Sequence, residues 1–163
     1  MRNASGLERT ARPSLLDRLI DLRPQERSDE LVGQDASVAR FRASVLRDVE
    51  WLLNTRRTIA HIPEGLSEVT SSVFAYGLAD VTSMSLDSPE VRAGLVRQIE
   101  RTIELFEPRL TDVRVSLVDA PDERRQIRFS IEGVLQMEPA PERVVFDTVM
   151  EVARGDFSVG SGS

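Results

Sequence analysis

Among residues able to do acid–base or nucleophilic work, this 163-residue chain offers little beyond carboxylates. His61 is the single histidine, which leaves no paired-imidazole chemistry and almost no histidine-ligated zinc site. No G-x-S-x-G surrounds a serine and nothing local orients His61, so a Ser-His-Asp arrangement is not expected; a lone loop histidine is usually structural or solvated. Absent cysteine removes disulfides, thiolate ligands and a thiol nucleophile. The glycines are scattered, giving neither a P-loop nor a dinucleotide fingerprint. With 27 acids, some pair must fall at glycosidase spacing by chance, so their abundance carries nothing.

One carboxylate has an unusual context. In "IELFEPRL", Ile103 to Leu110, Glu107 closes a helical pattern immediately before Pro108, with Arg109 beyond it. A helix C-terminus carries partial negative charge, so an exposed acid there costs about 0.3–1 kcal/mol. A neighbouring arginine keeps such a carboxylate ionised, which does not suit a general acid. Proline fixes φ and stops the helix, holding both charges at a rigid corner. From the residues alone, the pair closes on groups of its own domain and sets the helix–strand angle. The doubled arginines Arg56–Arg57 and Arg124–Arg125 are expected at a helix C-terminus and at a solvated hairpin tip.

The composition, 40% hydrophobic and 29% charged, fits one soluble domain with a core large enough to need no staples. A net charge of −6 opposes wholesale nucleic-acid binding. All 21 cations are arginine, each a planar fork suited to bidentate carboxylate pairing. The first twenty residues show no secretory pattern. The longest uncharged apolar run, "VFAYGLA", is far short of the roughly 18 residues of a membrane span.

Residues 1–13 are expected as a loose arm. "PSLLDRLIDL" predicts a short helix capped by Ser14. From Ala36 onward, Val38, Phe41, Val45, Val49 and Leu52 recur at intervals of 3, 4, 4 and 3, the period of an amphipathic helix. "LSEVTSSVFAYG" predicts a further helix capped by Ser67 and stopped by Gly77, with Val69, Val73 and Phe74 inward. Ser88 and Pro89 open the last helix, which places Val91, Leu95, Ile99, Thr102, Ile103 and Phe106 on one face. After Pro108 the period becomes two, and three strands follow in "DVRVSLV", "IRFSIEGVL" and "RVVFDTVMEV". The third carries apolar residues on both faces. The fold expected is α+β: amphipathic helices on one face of a small antiparallel sheet of three strands or slightly more. The single domain spans 14–152, and 153–163 is expected to be a flexible tail.

In family order, "VLRDVEWLLNTRR", "SSVFAYGLADVTS" and "IERTIELFEPRLTDVRVSL" resemble TssE, the baseplate subunit of the bacterial type VI secretion system. The same segments are similar to the sheath-initiating wedge protein of contractile-tail phages. "FEPRL" is the most specific, because a Glu-Pro-Arg motif lies between last helix and sheet in that family. Ala79 departs from it, since many relatives have proline there. The resemblance implies that Glu107, Pro108 and Arg109 dock onto the helical core bundle of TssF/TssG-like wedge subunits. The sheet then meets TssB/TssC-like sheath subunits. The two-sided third strand is the expected acceptor, through Val144, Phe146, Thr148 and Met150, unless the N-terminal arm or the tail already covers that edge. A structural adaptor that nucleates the sheath follows: monomeric alone, one per wedge, cytoplasmic, at a baseplate docked to the inner membrane complex. It needs no cofactor, nucleic acid or membrane insertion. The alternative is a lysozyme-like glycoside hydrolase acting on peptidoglycan, a label given to phage relatives.

Overall fold

The computed structural model describes residues 19, 34–58, 65–82, 84–118, 126–137 and 140–162. The expected arm, His61, Arg124 and Arg125 lie outside them, as does the Ser14 helix apart from Leu19, which is helical and exposed.

Helix α1 spans Gln34–Asn54. Its expected stripe is buried from Phe41 on: Phe41, Val45, Val49 and Leu52 are in the core, joined by Leu53, with Leu46 packed at the margin, while Val38 is only half-buried. The segment after it departs from expectation. Helix α2 is a single turn, Ser67–Thr70, with no side-chain cap at Leu66. A 3-10 turn, Val73–Ala75, follows and is capped instead by Ser72, whose hydroxyl accepts from the Phe74 N–H. Val73 is 88% exposed and Phe74 is exposed too, so this run does not turn its large side chains inward. Ala75, Leu78 and Val81 enter the core in their place. An apolar run of this length has no periodicity long enough to fix a helix, and tertiary contacts decide it.

Gly77 explains the break. Its φ is +100°, and a Cβ there would sit 2.2 Å from the Thr55 carbonyl oxygen. The chain passes that close because Leu78 bridges to the end of α1: its N–H donates to Thr55 O at 2.9 Å and its carbonyl accepts from the Arg57 N–H at 2.7 Å.

Helix α3 spans Pro89–Phe106, about 27 Å of rise. Ser88 caps it, and Leu95, Ile99, Thr102 and Ile103 face inward. The sheet has four antiparallel strands in sequential order: β1 Leu110–Val118, β2 Gln126–Leu135, β3 Glu142–Glu151 and β4 Asp156–Ser161. The fold is α+β, with α3 packed on β1 and α1 on β4, both on one face. Between them lies the core, built on Phe129, Ile131, Phe146 and Met150.

The fourth strand corrects the expected tail. "DFSVGS" folds back against β3, pairing Met150 with Phe157 and Thr148 with Val159, and both Phe157 and Val159 are buried. Gly155, at φ +67°, makes the turn. Glycine and serine suggest a loose end, yet alternation of Phe157 and Val159 is a strand pattern once β3 offers a ladder. β3 is therefore an inner strand, paired on both sides. Val144, Phe146, Thr148 and Met150 point into the core, so they are not the open acceptor edge expected of them. Covering by β4 is what satisfies that strand.

Candidate docking site

The corner after α3 is built by its own backbone. The Glu107 N–H donates to Ile103 O at 2.8 Å, ending the helical ladder, and the Leu110 N–H donates back to Glu107 O at 3.0 Å. The Arg109 carbonyl accepts from the Gln136 N–H at 2.7 Å, which ties the corner to the end of β2. Pro108 stands exposed at the apex.

The two charges meet each other. Glu107 is 4% exposed, and its carboxylate accepts from Arg109 Nε at 2.7 Å, from Arg109 Nη2, and from the Arg109 backbone N–H at 3.2 Å. Arg109 Nη2 also donates to Asp48 Oδ2 at 2.6 Å, and Nη1 reaches Ser44 Oγ at 3.4 Å. Asp48 is held from its other side by Arg47, which lies over the Trp51 ring at 4.9 Å from the centroid. The helix-end penalty on Glu107 is thus removed by a fork from two residues away, and the cluster pins α3 to α1.

Charge balance shows in the titration of the neighbours. Burial alone would lower the pKa of Arg109, but the hydrogen bonds it donates to Glu107 and then to Asp48 outweigh it and hold the guanidinium above its ordinary value. Tyr76, edge-on to Phe106 with ring centroids 5.3 Å apart, is raised first by burial, then by the negative charges of Asp48 and Glu107.

The intramolecular pairing has a consequence for the motif. Glu107 is a buried strut, not a free charge offered to a partner. What the corner presents outward is Pro108 and the outer rim of Arg109, whose side chain is 21% exposed. Ser44 and Asp48 were not singled out from the sequence. The signal was there: Ser44 interrupts the apolar stripe of α1, and Asp48 follows it one turn later. Among the described residues, no group of three His, Cys, Asp or Glu is placed to hold a metal, and no helix is long and apolar enough to cross a membrane.

The domain is α+β, with an ion cluster of Glu107, Arg109 and Asp48 pinning its two long helices at a proline corner beside a four-stranded sheet. The family model for baseplate wedge protein gp25 matches residues 39–140, from α1 through β2, and this chain belongs to that family. TssE is the type VI secretion homologue of gp25. A structural role in a baseplate follows from the family. A search of curated proteins gives no match.

Proposed function

We propose that this protein is a TssE-type adaptor of a type VI secretion baseplate, joining the wedge complex to the contractile sheath and starting sheath polymerisation. Membership of the wedge family over 39–140, a stretch that contains Glu107, Pro108 and Arg109, is the observation that carries this. The partners are TssF/TssG-like wedge subunits at the corner and TssB/TssC-like sheath subunits at the sheet. The protein acts in the bacterial cytoplasm at the baseplate, as a monomer that joins one wedge.

In this reading Glu107 works indirectly. It fixes the guanidinium of Arg109, whose exposed rim and the Pro108 apex meet the wedge core bundle. A carboxylate left in water would not orient a long side chain, because freezing its rotamers costs up to about 2 kcal/mol. No observation favours the hydrolase alternative. Glu107 is committed to three donors from Arg109, which leaves it ill suited to carry a transferable proton.

Co-purification with wedge and sheath subunits tests the proposal. Pro108→Asp, at an exposed apex, is expected to stay folded with a small drop in its melting transition and to reduce wedge capture at least tenfold. Equal capture would remove the corner from the interface. Clearing of peptidoglycan by purified protein, abolished by one Asp or Glu substitution, would replace the adaptor with an enzyme.

A further inference from the structure

Helix α1 is held unevenly along its length. Its C-terminal half is tied to the sheet: Asn54 Nδ2 donates to the Phe157 carbonyl and Asn54 Oδ1 accepts from the Phe157 N–H, each at 2.8 Å. Glu50 Oε2 accepts from the Val159 N–H at 2.9 Å. The N-terminal half meets the sheet through the Arg42–Glu142 ion pair at the start of β3. Beside that pair an open groove of about 640 Å³ runs along α1, and no described residue fills it. Val38, Ala39, Ala43 and Leu46 form its floor, with Arg42 and Glu142 as a polar wall. Ala39 and Ala43 are exposed, while Val38 and Leu46 are only half-buried. This half of α1 is therefore apolar on two faces, one in the core and one uncovered. Alanines on the open face let a second helix approach to the short end of the usual 8–10 Å between axes. Arg42 Nε, at the wall, is buried without a hydrogen-bond partner among the described residues.

The chain carries a second apolar stripe that fits this groove. In "PSLLDRLIDL", Leu15, Leu16, Leu19, Ile20 and Leu22 share one helical face. Leu19 is helical and 81% exposed, so the domain does not cover its place in the stripe. Residues 20–33 join it to α1 at Gln34, and fourteen residues can span up to about 46 Å. Ala43 stands nine residues into α1, about 14 Å of rise, so the chain can fold back to it with length to spare. Pro24 stops the first helix before the return.

We propose that the segment 15–22 closes onto this groove as an antiparallel helix, a strap across the N-terminal half of α1. Leu15 and Leu16 then lie beside Leu46, Leu19 and Ile20 beside Ala43, and Leu22 beside Val38 and Ala39. The two apolar rows match in length, about 10.5 Å for 15–22 and about 12 Å for 38–46. The same direction brings the last turn of the strap to Arg42. The final four carbonyls of a helix have no partner within it, and an acceptor is what Arg42 Nε lacks. Closure bears on the docking corner as well. Ser44, next to Ala43, and Asp48, one turn on, are the residues of α1 that hold Arg109. Covering the open face of α1 steadies the helix that carries them.

The chain has no cysteine, so an introduced pair reports contact without background. A disulfide needs Cα atoms within about 7 Å, a separation that closely packed helices reach at facing small positions. In the full chain, Leu19→Cys with Ala43→Cys is expected to close an intramolecular disulfide under mild oxidation. It should form at least tenfold faster than Leu19→Cys with Arg40→Cys, an exposed position on α1 away from the groove. Equal rates for the two pairs would overturn the strap. A disulfide joining two chains would give the groove to a second copy and overturn it too. In the cysteine-free chain, Leu19→Asp is expected to speed amide exchange at Arg42 and Ala43 at least threefold, with Ile99 and Ile103 of α3 unchanged. Unaltered exchange at Arg42 and Ala43, or equal acceleration in both helices, overturns the proposal whatever the disulfides do. Protection of those amides only after a wedge subunit is added would assign the groove to the wedge, and the strap falls.

Discussion

Arg109 turns back across Pro108 and meets Glu107 twice on one oxygen: Nε donates to Oε1 at 2.7 Å and the backbone N–H donates to it at 3.2 Å. The loop so formed is two residues long and contains a fixed φ, so little conformational entropy is lost in closing it. The third partner, Asp48, comes from a distant helix, and through it the corner reports whether α1 and α3 are packed.

Substituting Arg109 therefore tests folding before it tests binding. If both charges served only to dock a partner, Arg109→Ala or Glu107→Ala would stay folded and lose only assembly. The geometry reverses this for Arg109→Ala, which strands a buried Glu107 carboxylate. Breaking a buried pair from one side costs about 3–5 kcal/mol. Urea denaturation should show a loss near the lower figure, because Arg109 is itself partly exposed. A midpoint unchanged from the parent would mean the cluster contributes nothing to stability.

Alkaline pH isolates one side chain. The chain has no lysine and no cysteine, and Tyr76 is its only tyrosine. Its pKa in the folded state lies above its ordinary value of 10.0. A group raised on folding contributes stability that is intact below the unfolded value and is lost as pH rises through the folded one. Stability should thus hold to about pH 10 and fall above it. Tyr76→Phe should flatten that fall. Identical alkaline profiles for the two proteins would show that the phenol is not held by burial and the Asp48 and Glu107 charges.

Thr148 is 1% exposed, faces the core from an inner strand, and its hydroxyl has no hydrogen-bond partner among the described residues. Thr148→Val keeps the shape and removes an unsatisfied polar group, which costs about 1–3 kcal/mol while it is buried. The variant should be more stable by about 1 kcal/mol. Thermal melting checks it, and a lower transition would point to an acceptor for that hydroxyl. Thr148→Pro, by contrast, would break a ladder used on both sides and cannot serve as a probe of sheath binding.

Gly77→Ala should be costly for two separate reasons. A side chain at φ +100° is strained by about 1–3 kcal/mol, and its Cβ would meet the Thr55 carbonyl at 2.2 Å. The bridge between Leu78 and the end of α1 should open, seen as faster amide exchange at Leu78 and Arg57. Gly94, on the α3 surface with open space around it, is the control, and Ala there should be neutral or stabilising.

The sequence alone determined the long helices, the change of period at Pro108 and the α+β class, because each is written in local patterns of apolar residues. Phe41 to Leu52 and Leu95 to Ile103 lie where their spacing put them, and Ser88 caps α3 as its type and place foretold. The motif at 107–109 was also legible, as was its choice between an internal and an external partner. Only the tertiary structure made that choice, since Asp48 and Ser44 are more than fifty residues away and no local pattern brings them to Arg109. It likewise turned "DFSVGS" from a polar tail into an edge strand. Such a segment has weak intrinsic preference, and the hydrogen-bonding groups of β3, with Asn54 and Glu50 beyond, exist only once the chain has folded. Local periodicity is a property of neighbours in sequence; pairing and edge closure are properties of neighbours in space.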